Sequence, residues 1–311
     1  MSGGRQSERV VAALRCLRTC NQFFEFDDQE RVVKVAVYRA KNADEIAAHV
    51  GQLRDVRNLI FDGTDISDKG VAALQNLSEV RELSLQSPNV TAAGLSCLVG
   101  MKKLEHLALD SPGFGRPELD TISRIQSLKE LEICGGVYCD ADVAPLADLI
   151  SLEELGTAEN ERVTGTYARF LTPLEHLLRL SPGEWVTDEG VSCISRLSTL
   201  EKLFLVGPYS SLALKQVSQL HNLQTLFITS DCVTDADIAV LADLPKLTWL
   251  GLRTPRLTDA GALLLRHCRG LRYLGIFRSA LTQTGMKMLQ ESMPDCNLQL
   301  VEGRPSDDES C

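Results

Sequence analysis

No stretch of this sequence is apolar for long enough to cross a bilayer. Its first apolar run, Val10 to Leu17, is interrupted by Arg15, and no small-residue cleavage site follows it; a spanning helix needs about 20 apolar residues. That predicts a cytoplasmic protein with no membrane partner. Positive charge is also in short supply: 32 Lys and Arg against 42 Asp and Glu give a net charge of -10 at pH 7. This balance opposes the phosphate-neutralising contacts that supply most nucleic-acid affinity, so nucleic acid is not the expected partner. No Cys-x-x-Cys occurs, and ten cysteines in 311 residues fall below the density of a disulfide-stapled secreted framework. Cys97, Cys193 and Cys268 sit among Leu and Ile in helical stretches, where a thiol packs as a small hydrophobe. Cys16 and Cys20, one helical turn apart, are too loosely spaced for a zinc half-site. All ten are expected to be reduced.

Catalytic signatures are absent too. The five histidines, His49, His106, His176, His221 and His267, show neither H-E-x-x-H spacing nor a neighbouring cysteine pair. Gly113-Phe114-Gly115 lacks the third glycine of a phosphate loop and is flanked by Pro112 and Pro117, which makes it a turn. His106, with Asp110, Glu130 and Glu132, has the chemistry to hold a cation or move a proton. No ligand spacing is enforced there, and an ordinary polar face explains the same residues. The expectation is therefore a non-enzyme with no catalytic residue, metal ligand or cofactor.

What the sequence does have is a repeat. Segments of the form apolar-x-x-apolar-x-apolar begin at Val32, Val56, Val80, Leu104, Leu128 and Leu152, then at Leu200, Leu223, Leu247 and Leu271, a spacing of 24 that slips once to 23. One further repeat lies between Leu152 and Leu200, and a last strand around Leu298 and Leu300 brings the series to about twelve. The first half of each repeat alternates with period two, as in Leu83-Ser84-Leu85 or Leu250-Gly251-Leu252, the mark of a strand with one buried face. The second half changes period: Val71, Leu74 and Leu77, or Leu95, Leu98 and Met101, or Ile238, Leu241 and Leu244, suit a short helix with one buried stripe. Ser67, Thr91, Thr187, Thr234, Thr258 and Thr282 recur just before these helices, where a hydroxyl caps an orphan N–H. One such strand-turn-helix cannot bury its apolar side alone, so the repeats must stack. Stacking also removes the limit of roughly 250–300 residues on a single core.

The in-phase copies resemble the leucine-rich-repeat family. Val186-Thr187-Asp188-Glu189-Gly190 and Leu257-Thr258-Asp259-Ala260-Gly261 look like its bacterial subtype, whose repeats read L-x-x-L-x-L followed by V-T-D-A-G-L. The resemblance covers Val32 to Val301. It implies an α/β solenoid, a curved horseshoe with a parallel sheet on the concave face and short helices on the convex face. Many members carry an Asn eight residues into the repeat, where its amide bonds neighbouring turns. Here that column holds Pro88, Pro112, Pro208 and Pro255, so a rigid bend is expected to replace the amide ladder.

The ends and middle depart from the pattern. Residues 1–31 read as a cap, a helix with Val10, Val11, Leu14 and Leu17 on one face followed by an extra strand at Phe23 to Phe26 that turns through Asp27-Asp28-Gln29. Residues 32–302 form the solenoid and 303–311 a disordered acidic tail. Between Leu152 and Trp185 the register weakens: Thr157 occupies an apolar position, Pro173 closes a helical stripe, and Leu178 and Leu180 run one residue early. Drift in one repeat and a functional bulge both remain open.

An extended sheet of ordered side chains is suited to binding a protein partner. Outward strand positions divide into an early acidic zone, Asp62, Glu82, Asp110, Glu130, Glu132 and Glu154, and a late zone of Phe204, Phe227, Trp249, Arg253, Tyr273 and Phe277. Aromatics with arginine are the composition of interface hot spots, so the late zone is the expected contact site, although aromatics also simply suit strands. A self-associating architectural protein and an enzyme using the acidic face are the alternatives. The partner's identity and the oligomeric state are not written in the sequence.

Overall fold

The computed structural model describes residues 22–301. The expected amino-terminal helix face and the acidic tail lie outside them. The strands are β1 (Gln22–Phe26), β2 (Val32–Tyr38), β3 (Asn58–Asp62), β4 (Glu82–Gln86), β5 (His106–Asp110), β6 (Glu130–Cys134), β7 (Glu154–Ala158), β8 (Arg179–Ser181), β9 (Lys202–Val206), β10 (Thr225–Thr229), β11 (Trp249–Arg253), β12 (Tyr273–Phe277) and β13 (Asn297–Val301). They make a 13-stranded sheet whose spatial order is the chain order. β1 runs antiparallel to its neighbour, β2; the turn between them is tied by Arg31, whose Nε and Nη2 donate to Asp27 at 2.8 and 2.6 Å.

The sheet is α/β because each strand from β2 to β12 is followed by a helix or a 3-10 turn. These are α1 (Ala43–Val50), α2 (Asp68–Ala73), α3 (Ala92–Ser96), α4 (Arg116–Ile122), α5 (Asp188–Ile194), α6 (Ser211–Val217), α7 (Asp235–Ile238), α8 (Asp259–Leu264) and α9 (Gln283–Ser292), with 3-10 segments at Asp140–Asp148 and Thr166–Phe170. The inward strand positions form the expected column: Leu59, Leu83, Leu107, Leu131, Leu203, Leu226, Leu250 and Leu274 are all at most 2% exposed. The helical stripes Val71, Leu74, Leu77 and Leu95, Leu98, Met101 close over them and are equally buried. The described residues divide into two compact blocks, one carrying β1 to β6 and the other β7 to β13.

The Thr-Asp-x-Gly part of the repeat is an interlock between neighbours. Asp259, first residue of α8, accepts from both the backbone N–H and the hydroxyl of Thr282, the N-cap of α9, at 2.7 Å each. Asp44 does the same for Ser67, Asp68 for Thr91, Asp140 for Thr164, Asp188 for Ser210 and Asp235 for Thr258. The glycine three residues after the cap is where that aspartate packs: a Cβ built at Gly70, Gly94, Gly261 or Gly285 would overlap the carboxylate arriving from the preceding repeat. Ala92 and Ser211 are among the positions where a repeat lacks this aspartate. There the next cap is satisfied by its own third residue, Glu118 accepting from Gly115 N–H and Asp237 from Thr234 N–H, each at 2.8 Å. A charged acceptor facing a helix N-terminus suits the positive end of the peptide dipoles.

The outer corner is held differently from the expectation. The prolines are exposed, and the column before theirs turns inward at Ser87, Ser111, Ser230 and Thr254. Ser87 Oγ donates to the Ile66 carbonyl at 2.7 Å and accepts from Asn89 N–H, and Ser230 does likewise with the Tyr209 carbonyl and Cys232 N–H. Serine hydroxyls thus bridge adjacent repeats, and the prolines only set the bend after them.

The irregular middle is a one-residue slip opposite in direction to the expected one: Leu180 follows its partner Leu155 by 25 residues instead of 24, so it runs late and not early. Leu155 pairs with Leu180 and Leu180 with Leu203, so the core column is kept, while β8 is cut to three residues and Leu178 is left exposed. Thr157, in an apolar position, is buried and hydrogen-bonded to the hydroxyl of Tyr167 at 3.3 Å.

The interlock has a pH signature. The Asp259 carboxyl is held below the ordinary aspartate range, first by the Thr282 backbone N–H and then by its hydroxyl. A depressed folded-state pKa contributes stability at pH above the unfolded value, near about 4, that is lost as pH falls through the lower folded value. The melting temperature of the wild type should therefore decline more steeply on acidification than that of Asp259→Asn. Parallel declines would show that the contact does not favour the charged form.

Candidate functional site

The outward face of β9 to β12 lies within one compact block, and the parallel register fixes its rows. Lys202, Thr225, Trp249 and Tyr273 share the first row; Phe204, Phe227, Gly251 and Gly275 the second; Val206, Thr229, Arg253 and Phe277 the third. All six sequence-predicted contact residues are half-buried on this face.

The rings touch. Phe227 is central, its centroid 6.4 Å from that of Phe204, 6.3 Å from Trp249 and 6.0 Å from Phe277. Trp249 and Tyr273 stack at 5.2 Å with 7° between their planes. The guanidinium of Arg179, itself 2.8 Å from the Glu154 carboxylate, lies 5.2 Å from the Phe204 ring centre, and Tyr273 donates its hydroxyl hydrogen to Gln299. Contacts of this kind are each worth about 0.5–1.5 kcal/mol beyond area burial, so the surface is ordered before anything binds.

Two residues that sequence reasoning passed over make this packing possible. Gly251 and Gly275 occupy the second row where side chains would otherwise project. A Cβ at Gly251 would overlap the Phe227 ring and stand 2.9 Å from Trp249 Cη2, and one at Gly275 would stand 2.9 Å from Phe277 Cε2. The signal was available, since an isolated glycine inside a strand marks a close approach. Gly251→Val, a good strand former, is expected to leave the far-ultraviolet circular dichroism unchanged while abolishing most of the near-ultraviolet aromatic signal. An unchanged near-ultraviolet spectrum would refute this role of the glycine.

The early acidic zone is organised differently. In the first block, Glu82 accepts from Asn58 Nδ2, His106 Nδ1 lies 2.6 Å from Glu130 Oε2, and Asp110 accepts from Gln86. Asn58, Glu82, His106, Glu130 and Glu132, with Ser84 and Ala108 between them, line a depression of about 210 Å³. Asp62 is exposed at the end of β3. Among the described residues no group of three or more His, Cys, Asp or Glu is placed to hold a metal ion. No helix among them is long and apolar enough to cross a membrane.

No family model and no curated relative matches the chain. Solved structures do. An internalin from Listeria monocytogenes superposes with a TM-score of 0.58 at 19% identity over 96% of this chain and 95% of that one. A leucine-rich-repeat protein of Leptospira interrogans gives 0.50 at 16% identity, covering 81% and 74%. A TLR13 complex with the RNA ssRNA13 gives 0.59 at 17% identity, covering 83% of this chain and 38% of that one. With the repeated strand-helix architecture, these likenesses establish the leucine-rich-repeat fold.

Proposed function

We propose that this protein is a non-catalytic scaffold that binds a protein partner through the open face of β9 to β12, with Phe204, Phe227, Trp249, Arg253, Tyr273 and Phe277 as its contact residues. The observation that carries this reading is the unbroken chain of ring contacts from Phe204 to Tyr273 and Phe277 on the face that the helices leave uncovered. Large rings fixed by each other lose little entropy on binding and present much apolar area. A protein suits this surface better than a nucleic acid because the chain carries ten surplus negative charges. The proposal includes a reducing, cytoplasmic setting: burial pushes the Cys268 thiol up to about 11 and raises those of Cys193 and Cys296 as well, which favours packing over disulfide exchange. The test is an affinity pull-down with intact protein beside the double variant Phe227→Ala, Trp249→Ala. Partners retained by the wild type and lost by the folded variant support the reading; identical retention overturns it.

A further inference from the structure

The third row of the aromatic face ends in a groove. Its volume is about 540 Å³, and it lies at the carboxyl ends of β9, β10 and β11. Trp185, nearly half exposed, is part of its wall, and Glu184, Asp231, Arg253 and Arg278 line it. One Glu184 oxygen already accepts the Glu159 N–H at 3.1 Å. Neither arginine makes an ion pair among the described residues, and Arg253 Nε is buried without a hydrogen-bond partner. Arg179 and Glu130, also on the sheet face, are met by Glu154 and His106. Two guanidinium groups thus meet in one groove beside the aromatic rows, and the buried Arg253 Nε lacks an acceptor that an incoming anion would supply.

We propose that Arg253 and Arg278 receive the side-chain carboxylate of a glutamate or aspartate carried by the partner segment that lies on the aromatic rows. This rests on the reading of that face as the protein-binding surface. A guanidinium presents a planar fork of donors that matches a carboxylate, and it cannot relieve its charge by losing a proton. The exposed Trp185 indole offers apolar cover for the methylenes that carry the acid. Glu184 and Asp231 in the same groove repel a polyanionic backbone, so one carboxylate fits where a run of phosphates does not. Arg253 stands four residues beyond Trp249 on β11, about 13 Å at roughly 3.3 Å per residue. An extended partner segment would then carry its acid about four residues from the side chain seated on Trp249.

The probe is a random peptide library displayed against the intact protein, the Phe227→Ala, Trp249→Ala variant and the Arg253→Gln, Arg278→Gln variant, each first shown to be folded. The wild type should enrich peptides with a large apolar residue and an internal Asp or Glu about four positions away. The arginine variant should retain the apolar preference and lose the acidic one. A synthetic selected peptide should bind the wild type roughly tenfold more tightly than its Glu→Gln or Asp→Asn form, and the arginine variant should not distinguish the two. If Arg253→Gln disturbs folding, Arg278→Gln alone, whose side chain is exposed, carries the comparison. Enrichment that depends on Phe227 and Trp249 but shows no acidic preference overturns this inference and leaves the binding face standing. No enrichment, or enrichment indifferent to those aromatics, overturns both. An acidic preference that persists in the arginine variant, a requirement for a free peptide C-terminus over its amide, or arginine-dependent binding of a labelled single-stranded RNA oligonucleotide each assigns the groove to something else.

Discussion

Gly190→Ala should destabilise the protein by about 1–3 kcal/mol, the usual cost of forcing extra atoms into a closely packed site. Helix propensity predicts the opposite. Gly190 lies inside α5 with no positive φ, and alanine is favoured over glycine in a helix interior by roughly 1 kcal/mol. The interlock decides the sign. A Cβ built at Gly190 would overlap the Thr164 carbonyl oxygen of the preceding repeat, and a carbonyl, unlike the tip of a flexible side chain, cannot swing away. That carbonyl also accepts the Thr187 N–H at 3.1 Å, so moving it breaks the cap of α5. The control is Gly100→Ala, where nothing lies within 4 Å of the added carbon; it should be neutral or slightly stabilising. Urea unfolding of the three proteins settles the matter, and a Gly190→Ala variant as stable as Gly100→Ala would show that the repeats are not locked through this contact.

Much of this fold is legible in the residues alone. The core column was legible because one phase of the 24-residue repeat returns Leu59, Leu83 and Leu107 to the same place, and burial follows from phase. The aromatic rows were legible for the same reason: once Trp249 and Tyr273 share a phase, the parallel sheet must set them side by side. The role of the aspartates was not. In its own repeat Asp259 reads only as an acid in the first turn of a helix, a local dipole effect; its partner Thr282 is 23 residues away, and the contact exists only after stacking. The serines at the corner were hidden behind more conspicuous prolines. The groove escaped because its walls come from strand ends and from loops around Trp185 and Arg278, whose side-chain directions no period constrains.

The acidic and aromatic zones also differ in what they can do. Glu82, Glu130 and Asp110 already have hydrogen-bonding neighbours on the sheet, so a partner meeting them must replace satisfied contacts, and their main expected influence is on encounter rate and salt dependence. The rings of Phe227, Trp249 and Phe277 meet other rings. Burying one large aromatic side chain contributes about 1.5–3 kcal/mol by area, and truncating a hot spot at the centre of an interface commonly costs at least about 2 kcal/mol.

The most direct measurement is therefore the affinity of the recovered partner for Trp249→Ala and Glu130→Ala side by side, by calorimetric titration, with both variants confirmed as folded. Trp249→Ala should weaken binding about thirtyfold, while Glu130→Ala should leave the affinity at moderate salt nearly unchanged and alter mainly the association rate. If the glutamate substitution abolishes binding and the tryptophan substitution leaves it intact, the partner does not bind on β9 to β12.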